Sequence, residues 1–166
     1  GTGSPQHLAM ELLAQETNVK LLHVPYKGTA GALTDLMGGH VDASIVALQT
    51  AAPHLQNGSL RMLALMSAER SPAFPNVPTL KELGVANGVV ETWYGVFVPN
   101  GTPAEVVAKL NADINSLLQL PDVKETMNKQ GMVIAGGKPD RMNDLVKHEL
   151  SRWARVVEKA GIKADN

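Results

Sequence analysis

The hydrophobic positions change their period along the chain. Lys20–Pro25 (KLLHVP), Val41–Val46 (VDASIV) and Leu60–Met66 (LRMLALM) are short, largely apolar runs bounded by turn residues, the pattern of buried strands. Between them the apolar residues fall at helical spacing. Ser4-Pro5 opens a helix to about Gln15, because Ser caps a first turn with its side-chain oxygen and Pro at N1 lacks only an N–H that would be unpaired anyway. Thr29–Met37 predicts a second helix ended by Gly38-Gly39, and Gln49–Gln56 a short third closed by Asn57-Gly58. Strands and helices alternating at this spacing predict βα units and a mostly parallel sheet, an α/β fold.

Beyond Asn87-Gly88 the elements lengthen. Thr92–Val98 (TWYGVFV) reads as a strand and Pro99-Asn100-Gly101 as a turn. Thr102 and Glu105 have capping-box spacing, and Val107, Leu110, Ile114, Leu117 and Leu118 repeat helically behind them. Pro121 starts a helix to about Gln130, and Gly131–Ala135 reads as a short strand. Pro139 opens a last long helix with Met142, Leu145, Val146, Leu150, Trp153, Val156 and Val157 on one face. Asp144, Lys147, His148, Arg152 and Arg155 make its solvated face. Charge follows the same division: residues 1–90 hold five Lys/Arg and six Asp/Glu, residues 91–166 ten of each. The expected domains are therefore 1–90 and 91–166.

Composition narrows the function. The 166 residues carry a formal net charge of −1, and aromatics are 4%, so neither the basic excess nor the stacking rings of a nucleic-acid binder are present. The absence of Cys removes disulfides, thiol catalysis and cysteine metal sites. No apolar run approaches the roughly 20 residues of a membrane span. No signal-peptide pattern is seen. The chain opens at Gly1-Thr2-Gly3-Ser4 without Met, which gives the expectation of a piece cut from something longer.

Gly1-Thr2-Gly3-Ser4-Pro5 is the most informative stretch. Glycines let backbone approach a ligand, and the helix that follows presents unpaired N–H groups and a positive dipole end, a seat for a carboxylate or phosphate. The same residues are also ordinary helix punctuation. Pro25-Tyr26-Lys27-Gly28-Thr29 likewise follows a strand and opens a helix, with Lys27 adding a cation and Tyr26 a hydroxyl, or it is a plain βα turn with a solvated Lys. A third loop, Ala47-Leu48-Gln49-Thr50, follows the next strand. Ligands in open α/β sheets bind beyond the carboxyl ends of strands, where three such loops could converge. The ligand-binding candidates are Gly3, Ser4, His7, Tyr26, Lys27, Gly28 and Thr29; His7 stands at N3 of the first helix, as a cleft residue or a surface one. Catalytic patterns are poor. Ser4 lacks a G-x-S-x-G elbow, and His7, His23, His40, His54 and His148 show no HExxH or H-x-H pairing, so no catalytic residue, metal or cofactor is expected.

Several motifs occur in one order: Gly1-Thr2-Gly3-Ser4-Pro5-Gln6-His7-Leu8, Val24-Pro25-Tyr26-Lys27-Gly28-Thr29, Leu36-Met37-Gly38-Gly39-His40-Val41-Asp42, Ser67-Ala68-Glu69-Arg70-Ser71-Pro72, Pro75-Asn76-Val77-Pro78-Thr79, Thr92-Trp93-Tyr94-Gly95-Val96-Phe97-Val98-Pro99 and Gly101-Thr102-Pro103. Over nearly the whole chain they resemble the substrate-binding receptors of tripartite tricarboxylate transporters, the Bug (TctC-like) family. The resemblance implies a periplasmic Venus-flytrap receptor of the type II periplasmic-binding-protein class that hands small organic acids, mostly carboxylates, to membrane permease subunits. It implies that an N-terminal part is missing. Residues 1–90 would then be one nearly complete lobe and residues 91–166 the helical remainder of the other. Self-association is expected of such a fragment, through Val107, Ile114, Trp153 and Val157 left exposed. One departure stands out: where the family often has a further acid near Ile45-Val46 and then a Pro-containing loop, this chain has Ala43-Ser44-Ile45-Val46-Ala47-Leu48-Gln49-Thr50. Two other readings remain at this level: the effector-binding module of a transcription regulator, and a small α/β enzyme using Ser4 or His7.

Overall fold

A computed structural model describes residues 1–129 and 132–162. Among these the regular elements are α1 (Pro5–Thr17), α2 (Thr29–Met37), α3 (Leu48–Gln56), α4 (Ala104–Leu117), α5 (Pro121–Lys129) and α6 (Pro139–Ala160). The chain divides into two compact units, Gly1–Thr92 with the chain from Trp153 on, and Trp93–Arg152. The last helix, α6, has residues in both units.

The helix limits follow local chemistry. Ser4 caps α1 by accepting the His7 N–H on its hydroxyl at 3.3 Å. Asn18 ends the helix in the left-handed region at φ 53°, which Asn tolerates better than most residues, and Val19 N–H closes back on Ala14 O at 3.0 Å. Gly39 takes the same role after α2 at φ 72°, with His40 N–H donating to Asp35 O at 2.9 Å.

The expected parallel sheet is not formed among the described residues. Lys20–Pro25, Val41–Val46 and Thr92–Val98 run without ladder hydrogen bonds, and Leu60–Met66 makes one isolated parallel bridge, Leu65 with Thr79. Leu65 N–H donates to Pro78 O at 2.9 Å, Leu80 N–H to Leu65 O at 2.8 Å, and Val90 N–H to Met66 O at 2.7 Å. Of the Gly131–Ala135 segment, Gly131 lies outside the described residues and the rest is not a strand. The physical reason is that a strand-like pattern marks fitness for a pleated, half-buried surface and does not itself supply the neighbouring strand. Leu22 is 91% exposed, and Val96 and Leu63 are exposed as well. The apolar exposure thus falls on these extended segments. Val107, Ile114, Trp153 and Val157, expected to be bare, are all half-buried.

The first unit holds the core. Ala9 and Leu12 of α1, Leu33 of α2, Ala51 of α3, Val156 of α6 and Leu80, outside any helix, are buried, together with the polar His7 and Thr79. Gln15 Nε2 donates to Val156 O at 3.2 Å, tying α1 to the end of α6. In the second unit the start of α6 is set by a glycine turn. Gly136 and Gly137 have φ of 57° and 111°, and Asn115 clamps Gly137 from both sides, accepting its N–H at 2.7 Å and donating to its carbonyl at 3.0 Å.

Candidate functional site

Two of the expected ligand loops meet. A Cβ placed on Gly1 would stand 3.4 Å from the Tyr26 carbonyl oxygen, so the turn that opens α1 lies against the turn that opens α2. Gly3 has φ 72°, and its N–H donates to His7 Nδ1 at 3.0 Å. Ser4 N–H donates to Gly1 O at 3.1 Å, which closes the turn. At the head of α1, Pro5 has no N–H and that of His7 is taken by Ser4 Oγ, which leaves Gln6 as the donor for a ligand. At α2 the N-cap is Gly28, which offers no side chain, so the first-turn N–H groups of Thr29, Ala30 and Gly31 have no side-chain cap. A Cβ on Gly3 or on Gly28 would meet nothing within 4 Å, so there is open space beside both helix starts.

The candidate side chains have distinct roles in this frame. Ser4 is the cap, and its hydroxyl is engaged with the His7 N–H. His7 is buried, takes Gly3 N–H on Nδ1, and stacks on His23 with ring centroids 3.7 Å apart and planes 11° from parallel. Tyr26 gives its hydroxyl proton to Asp35 Oδ2 at 2.7 Å, pinning the Tyr26–Gly28 turn to α2; that bond raises the Tyr26 pKa above its usual value. Lys27 and Thr29 are exposed beside the same turn. The third loop, Ala47–Thr50, opens α3 without a side-chain cap. Ser4 and His7 do not form a nucleophile–base pair, because the imidazole nitrogen on that side holds a backbone N–H. Among the described residues no three His, Asp or Glu gather as metal ligands.

Sequence reasoning passed over three residues here. Asp35 holds Tyr26, and His23 covers His7. Glu82 organises the Ser67–Thr79 motif: Arg70 Nε donates to both its oxygens at 3.0 and 2.9 Å, and Thr79 N–H donates to Oε2 at 2.8 Å. The Thr79-Leu80-Lys81-Glu82 spacing was the available signal. An open depression of about 600 Å³ lies along Ala68, Glu69, Arg70, Thr79, Lys81 and Glu82, away from the two helix starts in sequence.

The model of the tripartite tricarboxylate transporter family receptor matches residues 1–162. The chain belongs to this receptor family. The Bordetella pertussis protein BugT is 38% identical over 161 residues, 97% of this chain and 49% of BugT. The solved structure of R. palustris Rpa4515 with adipate superposes with a TM-score of 0.79 at 37% identity, covering 96% of this chain and 54% of that one. MatC from Rhodopseudomonas palustris, with bound malate, gives a TM-score of 0.72 at 34% identity, covering 93% and 54%. The fold is therefore that of receptors of this family. The chain spans about half the length of BugT and of most other curated relatives it matches.

Proposed function

We propose that this chain carries one side of the ligand grip of a periplasmic receptor that captures a small dicarboxylate or related organic acid and passes it to permease subunits of a tripartite transporter. The observation that carries this reading is the meeting of the α1 and α2 starts through Gly1 and Tyr26, with open space at Gly3 and Gly28. Backbone N–H groups at adjacent helix starts suit a carboxylate, and each hydrogen bond to a charged oxygen contributes about 1.5–3 kcal/mol before desolvation is subtracted. The relatives solved with adipate and malate support the ligand class. In this reading Gly3, Ser4, Gly28 and Thr29 line the seat, Lys27 adds a salt-screened attraction at its rim, and His7 and Tyr26 hold the two turns. Residues 1–90 form one lobe of a type II binding protein, with a mostly parallel sheet completed in the longer receptor, and residues 91–166 belong to the other lobe. The protein binds without turnover. Taken alone the chain self-associates through the exposed apolar segments that include Leu22, Tyr94, Val96 and Phe97.

The test is calorimetric titration of the chain with adipate and with malate, beside the Gly28→Val variant. Gly28 has φ 177°, which Val adopts freely, and a Cβ there touches no protein atom, so the side chain enters only the space assigned to the ligand. Half a grip should bind weakly, with Kd near millimolar, roughly −4 kcal/mol, and the Val side chain should weaken it about tenfold. Failure of both acids to bind, or equal binding by the variant, removes the seat from this position.

A further inference from the structure

We propose that His7 is the positioning residue of this seat and couples it to pH: the neutral imidazole holds the Gly1–Ser4 turn closed, and protonation opens it. The inference rests on the carboxylate reading for what the turn holds, and on geometry alone for what holds the turn.

Gly3 N–H donates to His7 Nδ1 at 3.0 Å. An imidazole nitrogen accepts only while bare, since both nitrogens of the imidazolium are donors. The bond therefore requires neutral His7 with its proton on Nε2. That nitrogen lies 3.6 Å from Glu11 Oε1, one helical turn further along α1, and the carboxylate favours a proton there over one on Nδ1. Glu11 thus selects the tautomer that the turn needs. On the flat face of His7 lies His23 of the Lys20–Pro25 segment, with ring centroids 3.7 Å apart. Two stacked imidazoles resist carrying two charges. The His23 pKa is lowered, by partial burial first, then by His7 and by the Gly1 amino group, with Glu11 pulling the other way. The ionisable groups facing His7 are thus Glu11, which favours a cation, and His23, which when charged opposes one.

When His7 takes a second proton, it lands on Nδ1 and faces the Gly3 N–H, donor against donor. The turn loses the bond that fixes Gly3, and with it the placement of Gly1 against the Tyr26 carbonyl that brings the two helix starts together. No bond is made or broken beyond that proton transfer from solvent. The seat is well formed while His7 is neutral and loosened once it is protonated.

The experiment has a binding arm and a spectroscopic arm, both on the 166-residue chain. Adipate is titrated into wild type and His7→Asn at about pH 7.5 and about pH 5.5. Asn presents an amide oxygen where Nδ1 stood and does not titrate in this range. Whatever its affinity at neutral pH, the variant reports the protonation of adipate and of His23, which both proteins share. Wild type should weaken roughly fivefold more than the variant across the interval, the effect of losing one hydrogen bond. Nitrogen-15 spectra of the ligand-free wild type should show bare Nδ1 on His7 at neutral pH, and a Gly3 amide signal that shifts with the His7 titration. Parallel pH profiles in the two proteins, stronger binding by wild type in acid, or neutral His7 protonated on Nδ1 would overturn the proposal. Loss of adipate binding in both proteins at both pH values removes the carboxylate reading, while the spectra decide separately whether His7 governs the turn.

Discussion

The two units bury their apolar helix positions unequally. The fully buried residues among those described, from His7 and Ala9 of α1 to Val156 of α6, belong to the first unit. In the second unit no described residue is fully buried, and α4, with Val106, Val107, Leu110, Ile114 and Leu117 along it, buries none. The first unit gathers buried residues of α1, α2, α3 and the end of α6 into its core, and the Gln15 side chain ties α1 to the Val156 carbonyl. The second depends on side-chain clamps at a turn, Asn111 and Asn115 on Gly137 and Arg141 on Ala135 and Gly136. Amphipathic periodicity therefore predicts which face of a helix is apolar, and only tertiary packing decides whether that face is covered.

The largest separation between the units should appear on truncating a leucine in each. Leu12 is 5% exposed and Leu150 is 68% exposed. Leu12→Ala removes packed atoms and leaves a cavity, a loss of about 3 kcal/mol, whereas Leu150→Ala should stay within about 0.5 kcal/mol of wild type. Urea unfolding monitored by helical circular dichroism measures both. Similar losses at the two positions would mean that the second unit has a core in solution.

A smaller separation is expected between two glycines. A Cβ on Gly88 would meet Leu80 Cβ at 2.8 Å and the Val85 carbonyl oxygen at 3.1 Å, both anchored atoms. On Gly95 it would meet Met142 Cε at 2.7 Å, the far end of a flexible side chain that can swing away, and the edge of Phe97 at 3.1 Å. Gly88→Ala should therefore cost about 1–3 kcal/mol and Gly95→Ala less than about 1 kcal/mol, read as shifts in the urea midpoint. The reverse order would show the Gly95 surroundings to be the stiffer packing.

The same contrast explains what could be read in the sequence. Helices were legible because their signals are local: Ser4-Pro5 and Pro139 mark starts, and Gly38-Gly39 and Asn57-Gly58 mark ends. Thr102 and Thr79 show where local signals stop. Both precede a Glu by three residues. Thr102 donates its hydroxyl to Pro99 O at 2.8 Å and α4 begins without a side-chain cap, so the expected box is not made there. Thr79 makes the full reciprocal box with Glu82, yet heads only a turn, because Arg70 and the Leu65 backbone hold it from outside. The strand-like segments meet the same limit: Thr92–Val98 has the composition of a strand, but its pairing partner is a matter of tertiary structure. At the site, the glycine turns and helix starts were legible, while the His7–His23 stack and the Tyr26–Asp35 bond join residues 16 and 9 positions apart with no periodic signature.

The smallest effect expected is electrostatic, and it again sets the units apart. In the first, the paired hydrogen bonds from Arg70 and the N–H of Thr79 lower the Glu82 pKa from 4.5 to about 2. A carboxyl whose folded pKa is depressed stabilises the fold above its unfolded pKa and loses that contribution as pH falls through the folded value. The lead of wild type over Glu82→Gln should therefore be full above about pH 4.5 and fade toward about pH 2. Both side chains of the Arg70–Glu82 pair are 44% exposed, so added salt should shrink this lead as well. In the second unit the Lys109–Asp113 pair, at 2.9 Å, is a plain i,i+4 contact with 76% and 55% exposure, and Asp113→Asn should change stability by no more than a few tenths of a kcal/mol. Chemical denaturation of both variants across acid pH makes the comparison. A Glu82→Gln curve parallel to wild type throughout would show that the Arg70 clamp contributes no more to its unit than a helix-surface pair does to the other.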